Sequence, residues 1–193
     1  MLNFCIFASG SSGNCSLIRT AEAVVLIDCG VSSKYITENL SLMGLNPQDI
    51  TAALITHAHG DHLSASGLNF LLKHNIKTYS HDCVFDDAFR KYGEKMNACR
   101  CVCVNASFKI KDIEISSFDV YHRDARVSKT LGFTLSSNVC ARKYKIGYVT
   151  DTGKVCADMA SHLKDSNILA IESNYDREML EKSSDLMKIN NGC

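Results

Sequence analysis

The segment Thr56-His57-Ala58-His59-Gly60-Asp61-His62 restricts this chain more than any other stretch of it. Three imidazoles and one carboxylate fall within six residues, directly after the short apolar run 52–56 (AALIT). Borderline nitrogen ligands together with a hard oxygen ligand are what a Zn²⁺-type catalytic centre requires. A buried strand that releases its chain into such a loop belongs at the carboxyl edge of an α/β sheet, where ligands bind. In a turning loop, His57 and His59 can face one ion while Asp61 and His62 swing towards a second.

Two further acids occupy similar contexts. The continuous apolar run 23–28 (AVVLID) reads as a strand buried on both faces and ends at Asp28, followed by Cys29 and Gly30. A strand predicted over 144–150 leads into Asp151, followed by Thr152 and Gly153. An isolated acid of this kind serves equally well as a turn or helix cap. Beside the histidine segment both become candidates for the same centre. His122 follows the apolar strand 113–120 and joins them, whereas His74, His81 and His162 fall at the ends or in the body of predicted helices and read as surface or capping residues.

Around these markers the pattern alternates. Short strands at 2–8 and 15–18 flank the turn Ala8-Ser9-Gly10-Ser11-Ser12-Gly13-Asn14, which is too rich in Gly and Ser for helix or strand. Ser32 or Ser33 caps a helix carrying Ile36, Leu40 and Met43, with Gly44 placed to stop it. A helix at 65–74, a strand at 76–79 and a helix at 83–92 follow. The second half opens with strands near 101–104, 107–111, 113–120 and 130–137, then the strand 144–150, a helix at 156–164, a strand at 167–172 and a helix from about 176. Two β-rich halves that each end in α/β units suit two packed sheets with helices outside. With 193 residues and no linker-like tract, one domain over 1–193 accommodates the pattern.

Composition narrows the partners. The 21 basic and 21 acidic side chains cancel, so a polyanion site has to be local; Lys34, Arg123, Arg126 and Lys129 are candidates for positive charge near the centre, and a solvated face accounts for them equally well. No stretch has the length of a membrane span, and the amino terminus lacks the features of a secretory signal, which places the chain in the cytoplasm. The ten cysteines are scattered at apolar positions and read as reduced thiols. Cys99, Cys101 and Cys103 would share one face of a strand and read as core rather than as a metal cluster.

Taken in order, the strand-end Asp28, the H-x-H-x-D-H segment 57–62, His122 and the strand-end Asp151 resemble the metallo-β-lactamase superfamily. A closer resemblance, to its bacterial YycJ/WalJ-like branch, is carried by Ser9-Gly10-Ser11-Ser12-Gly13-Asn14, by Thr150-Asp151-Thr152-Gly153, and by Glu172-Ser173-Asn174-Tyr175-Asp176 followed by Met179-Leu180. The resemblance implies an α/β, αββα four-layer sandwich. It also implies two divalent metal ions, zinc as the default and manganese as the alternative. His57, His59 and His122 would hold the first ion, Asp61 and His62 the second, and Asp151 would bridge them. Asp61 and Asp151 would thereby be the catalytic carboxylates, and Asp28 would orient a histidine.

Two departures accompany it. Arg123 separates His122 from Asp124, where the family joins histidine directly to aspartate. The family also continues past its Met-Leu helix into a Gly-His segment that gives the second ion another histidine, whereas the tail SSDLMKINNGC does not match. The expectation is therefore a sandwich incomplete at its carboxyl end, lacking its last strands and helix, with a weakened second site.

Two ions about 3.5–4 Å apart can hold a bridging hydroxide and clamp both oxygens of an in-line displacement. The branch resemblance implies a phosphodiesterase or nuclease acting on DNA or RNA. The residues leave open a small-molecule thioesterase or lactonase, and a non-catalytic binding protein whose site has decayed. Ser11, Ser12, Gly13 and Asn14 are the substrate-contact candidates, since two glycines let backbone N–H groups approach an anion.

Overall fold

The computed structural model describes residues 2–99, 101–104, 107–122 and 126–172. Among these residues, eleven strands form two sheets. In the first, β1 (Asn3–Ala8), β2 (Cys15–Arg19), β3 (Val24–Ile27), β4 (Ala52–Leu54), β5 (Thr78–Ser80) and β6 (Cys101–Cys103) lie side by side in chain order. β1, β2 and β3 pair antiparallel and β3 to β6 pair parallel, so the sheet opens as a meander and continues as a crossover array. The second sheet runs β11 (Ile168–Ile171), β10 (Arg142–Val149), β9 (Thr130–Val139), β8 (Ile113–Val120), β7 (Ser107–Ile110). Among the described residues of that sheet, β10 and β11 pair parallel and the other neighbours pair antiparallel.

The layers follow from side-chain alternation. Along β3, Val24 and Leu26 point to one face and pack with Ile36 and Leu40 of α1 (Ser33–Leu42), Leu68 and Leu71 of α2 (Ala65–Lys73), and Val84 and Ala88 of α3 (Asp82–Tyr92). Val25 and Ile27 point to the other face and meet Ile113, Ile115, Leu131 and Phe133 of the second sheet. A third cluster joins Phe118, Val120 and Val149 to Met159 and Leu163 of α4 (Ala157–Leu163). Helices, sheet, sheet and helix give the expected αββα order. The helix expected from about 176 and the segment containing Asn174 and Asp176 lie outside the described residues, as do Arg123 and Asp124.

Local chemistry explains the boundaries. The Ser32 hydroxyl accepts from the Tyr35 N–H at 3.2 Å and starts α1, and Gly44 adopts φ +67° beyond its end. The Ser64 hydroxyl accepts from Gly67 N–H at 2.8 Å and starts α2 immediately beyond the histidine segment. His81 caps α3 by accepting from Cys83 N–H at 3.2 Å. His74 closes α2 against the Phe70 ring, and His162 stacks on Phe118. His74 and His81, read from the sequence as surface or capping residues, stand at helix ends, and His162, read the same way, is half-buried against Phe118. Cys99 packs against the first core cluster; the side chains of Cys101 and Cys103 are outside the described residues.

The β9–β10 ladder is longer than the pattern predicts, pairing Val139 with Arg142 across a two-residue turn. Cys140 and Ala141 both adopt positive φ, +50° and +62°. That geometry ordinarily selects Asn-Gly, so nothing in the sequence marks the turn.

Candidate metal centre

The site lies where β3, β4, β8 and β10 end. After β4, the chain passes from Thr56 through His62 and is drawn back over the end of β3: Cys29 N–H donates to His62 C=O at 2.7 Å, and Ser64 N–H donates to Cys29 C=O at 3.1 Å. The approach is close enough that a Cβ on Gly30 would stand 1.7 Å from the Asp61 carbonyl oxygen. Gly30 is thus required for contact with the histidine loop.

Asp28 and Thr56 organise the centre from below. Both are fully buried. Asp28 adopts φ +61°, and its carboxylate accepts from Thr56 N–H at 2.8 Å and from the Thr56 hydroxyl at 3.0 Å. His62 Nδ1 lies 2.8 Å from the same carboxylate, and His57 Nδ1 lies 3.0 Å from the Thr56 hydroxyl oxygen. With the hydroxyl proton given to Asp28, the oxygen accepts from His57 Nδ1–H, while Asp28 accepts from His62 Nδ1–H. Both rings then present Nε2 to the site. Thr56 belongs to the motif by sequence, yet its part in holding His57 becomes visible only in the fold.

The ligating atoms fall into two groups, each with its atoms within 4.8 Å of one another: His57, His59 and His122; and His57, His62 and Asp151. His57 Nε2 lies 3.0 Å from His59 Nδ1 and 3.4 Å from Asp151 Oδ2, so it stands between the two. His62 Nε2 is 2.7 Å from Asp151 Oδ2 and 3.6 Å from Asp61 Oδ2. The first group is the set expected for one ion. The second brings together His57, His62 and Asp151, and Asp61 lies beside it, 3.6 Å from His62 with about a third of its side chain exposed.

A tetrahedral ion with metal–nitrogen bonds of about 2.0–2.1 Å spaces its ligands roughly 3.4 Å apart, so these separations suit a metal. The His122 Nε2 atom is buried and has no hydrogen-bond partner among the described residues, as befits a nitrogen reserved for an ion.

Electrostatics set the two inner histidines apart. Burial, reinforced by His62, pushes His57 down to about 2. Burial also works against charge on His62, but Asp28 and Asp151 outweigh it and push its pKa up to about 10. Asp151 is held below the usual carboxylate range: burial opposes this, and contact with His62 prevails. His62 thus stands between two carboxylates, in the region where a cation would be held. Asp151 itself adopts φ +50°, and its N–H donates to Glu172 Oε2 at 3.0 Å. Glu172 enters the sequence motif without a role; here it supports the backbone of Asp151.

Of the substrate-contact candidates, Ser11 and Ser12 are exposed at the tip of the first turn, while Gly13 and Asn14 are buried. The Asn14 amide is turned inward, with its nitrogen 3.2 Å from Gly10 C=O and 3.0 Å from His62 Nε2, and its backbone N–H donates to Asp61 C=O at 2.6 Å. Asn14 therefore braces the histidine loop. Lys91 of α3, which carries no sequence signal, donates to Ala58 C=O at 3.1 Å from the opposite side.

Residues 24–189 match the family model described as the beta-lactamase superfamily domain. Exodeoxyribonuclease YycJ of Bacillus anthracis is 30% identical over 180 residues, covering 93% of this chain and 65% of its own length. Exodeoxyribonuclease WalJ of Streptococcus pneumoniae strain D39 is 31% identical over 184 residues, covering 94% of this chain and 65% of its own length. The chain thus spans about two thirds of the length of these curated relatives. Among solved structures, the short form of human tRNase Z superposes with a TM-score of 0.67 at 18% identity, over 94% of this chain and 82% of that one. A diphosphatase of the PhnP family superposes with a TM-score of 0.66 at 16% identity, over 88% of this chain and 73% of that one.

Proposed function

The chain belongs to the beta-lactamase superfamily domain family, and from that premise we propose that it is a metal-dependent phosphodiesterase acting on DNA or RNA. The observation that carries the reading is the position of His57 Nε2 between two groups of ligating atoms, one of three histidines and one closed by Asp151. Relatives named exodeoxyribonucleases at 30% and 31% identity support the choice of a phosphodiester over a thioester or lactone.

On this reading His57, His59 and His122 hold one divalent ion, and His57 or Asp151, with His62 and Asp61, supports a second. Zinc suits the nitrogen-rich group, and the group containing a carboxylate also accommodates manganese. Bound there, the ions supply Lewis acidity and an activated water. The protein's own part is orientation: Asp28 and Thr56 fix two rings, and Asp151 contributes negative charge facing His57 and His62. Ser11 and Ser12 are exposed on the turn that Asn14 joins to the histidine loop, and their hydroxyl and N–H groups would be available to an anionic substrate. Among the described residues no helix is long and apolar enough to cross a membrane, and seven cysteines are free thiols, in keeping with work in the cytoplasm.

The test offers the full chain, loaded with zinc or manganese, a chromogenic phosphodiester, end-labelled single- and double-stranded DNA, RNA, a thioester and a lactone. Cleavage of the phosphodiester and a nucleic acid, lost in His57→Ala, is expected. Turnover of the thioester or lactone alone would replace the substrate class, and tight metal binding without any turnover would favour a binding protein.

A further inference from the structure

Asp87, on the outer helix layer, has no place in the ligand set, yet its carboxylate is 3% exposed. It accepts from Ser128 N–H at 2.5 Å, from the Ser128 hydroxyl at 2.8 Å and from Arg90 at 2.5 Å. A buried carboxylate is costly unless donors of this kind surround it, so the contact defines where Ser128 must stand. Ser128 lies on the connection from β8 to β9, and the same connection carries His122 at its start.

Among the described residues, three contacts tie this part of the chain to elements outside β8 and β9. Near its beginning, Gly153 N–H donates to Tyr121 C=O at 2.9 Å, tying it to the turn after Asp151. Just beyond its far end, in the first residues of β9, Leu131 N–H donates to Thr56 C=O at 3.0 Å, tying the strand to the histidine segment. Asp87 makes the third tie and spans from the helix layer of the first sheet to a loop of the second. It alone of the three depends on side chains. A cleft of about 170 Å³ has His122, Ser128 and Lys129 together on its walls, so the gripped serine and the third histidine border one space. His57 and His62 are oriented through their Nδ1 atoms by Thr56 and Asp28, and the buried His122 Nε2, the atom left for an ion, can meet it only where the backbone carrying His122 is held in place.

We propose that Asp87 is the positioning residue for His122: by gripping Ser128 it holds the β8–β9 connection at the site and fixes the third histidine for metal binding. The proposal rests on His122 being a ligand. Groups that support a ligand without touching the metal typically contribute 10–100-fold in affinity.

The experiment is a zinc titration of the metal-free full chain against a chelating indicator, applied to the wild type, Asp87→Ala, Ser128→Ala, His122→Ala and the Asp87→Ala/His122→Ala double variant. Asp87→Ala is expected to weaken the first ion about tenfold or more, and Ser128→Ala to act in the same direction. In the His122→Ala background the Asp87 change should add less than about twofold, because a residue acting through His122 has nothing left to position. Wild-type affinity in Asp87→Ala, or an equal loss in both backgrounds, would overturn the inference. Wild-type affinity in His122→Ala would instead overturn the ligand assignment beneath it. Where Asp87→Ala fails to fold, the same cycle built on Ser128→Ala decides the question.

Discussion

The Thr56 hydroxyl lies 3.0 Å from both oxygens of the Asp28 carboxylate and 3.0 Å from His57 Nδ1, so one buried hydroxyl links the acid at the end of β3 to the first histidine of the loop. Replacing Thr56 with Val keeps the shape and removes both bonds. The variant should fold, lose about 10–100-fold in zinc affinity and recover most of it as Thr56→Ser. Equal affinity in the Val and Ser variants would show that shape alone matters at this position.

His57 and His59 predict different stoichiometries. His57 Nε2 contributes to both groups of ligating atoms and His59 to one. Elemental analysis after dialysis should therefore find little metal of any kind in His57→Ala, while His59→Ala keeps a residual, weaker ion. Matching metal content in the two variants would mean that His57 is not shared.

The fold was legible in the sequence because its strands are short apolar runs cut off by acids, histidines and glycines. AVVLID and AALIT have no polar face to offer, which marks them as central parallel strands, and their ends locate the ligand edge of the sheet. The β9–β10 turn was not legible, since Cys140 and Ala141 adopt a conformation that their side chains disfavour. At the site, ligating residue types announce themselves by chemistry. Thr56, Asp87 and Glu172 do not, because each acts through a contact with a residue distant in sequence or through a backbone N–H, and a threonine or a helical acid is ordinary in isolation. Spacing gives the order of ligand types along a loop, and only the path of the loop decides how the rings and carboxylates face one another, as in the approach of His57 to Asp151.

Gly30 is open to a direct test of packing. Its neighbour is backbone, the Asp61 carbonyl oxygen, which cannot rotate away from a methyl group. Gly30→Ala should lower stability by about 3 kcal/mol or more, near the upper end of overpacking costs, and should displace Asp61 and His62 together. Thermal denaturation of the metal-free protein measures the first effect, and weaker zinc binding in the fraction that folds measures the second. A melting temperature within a degree or two of the wild type would mean that the loop and the end of β3 do not meet as described.

Asp151 separates charge from conformation. Its backbone stands at φ +50°, a region that Asn enters more readily than Ala, and its N–H is held by Glu172 whatever the side chain. Asp151→Asn should therefore fold with nearly unchanged stability in the absence of metal, while Asp151→Ala carries an added backbone cost of about 1 kcal/mol. Both remove the carboxylate that faces His57 and His62 at 3.4 and 2.7 Å. Both should consequently lose turnover of a chromogenic phosphodiester by about three orders of magnitude, a loss of roughly 4 kcal/mol in transition-state stabilisation. If Asp151→Asn retained near-wild-type kcat, negative charge at this position would have no part in the chemistry and Asp151 would be confined to shaping the end of β10.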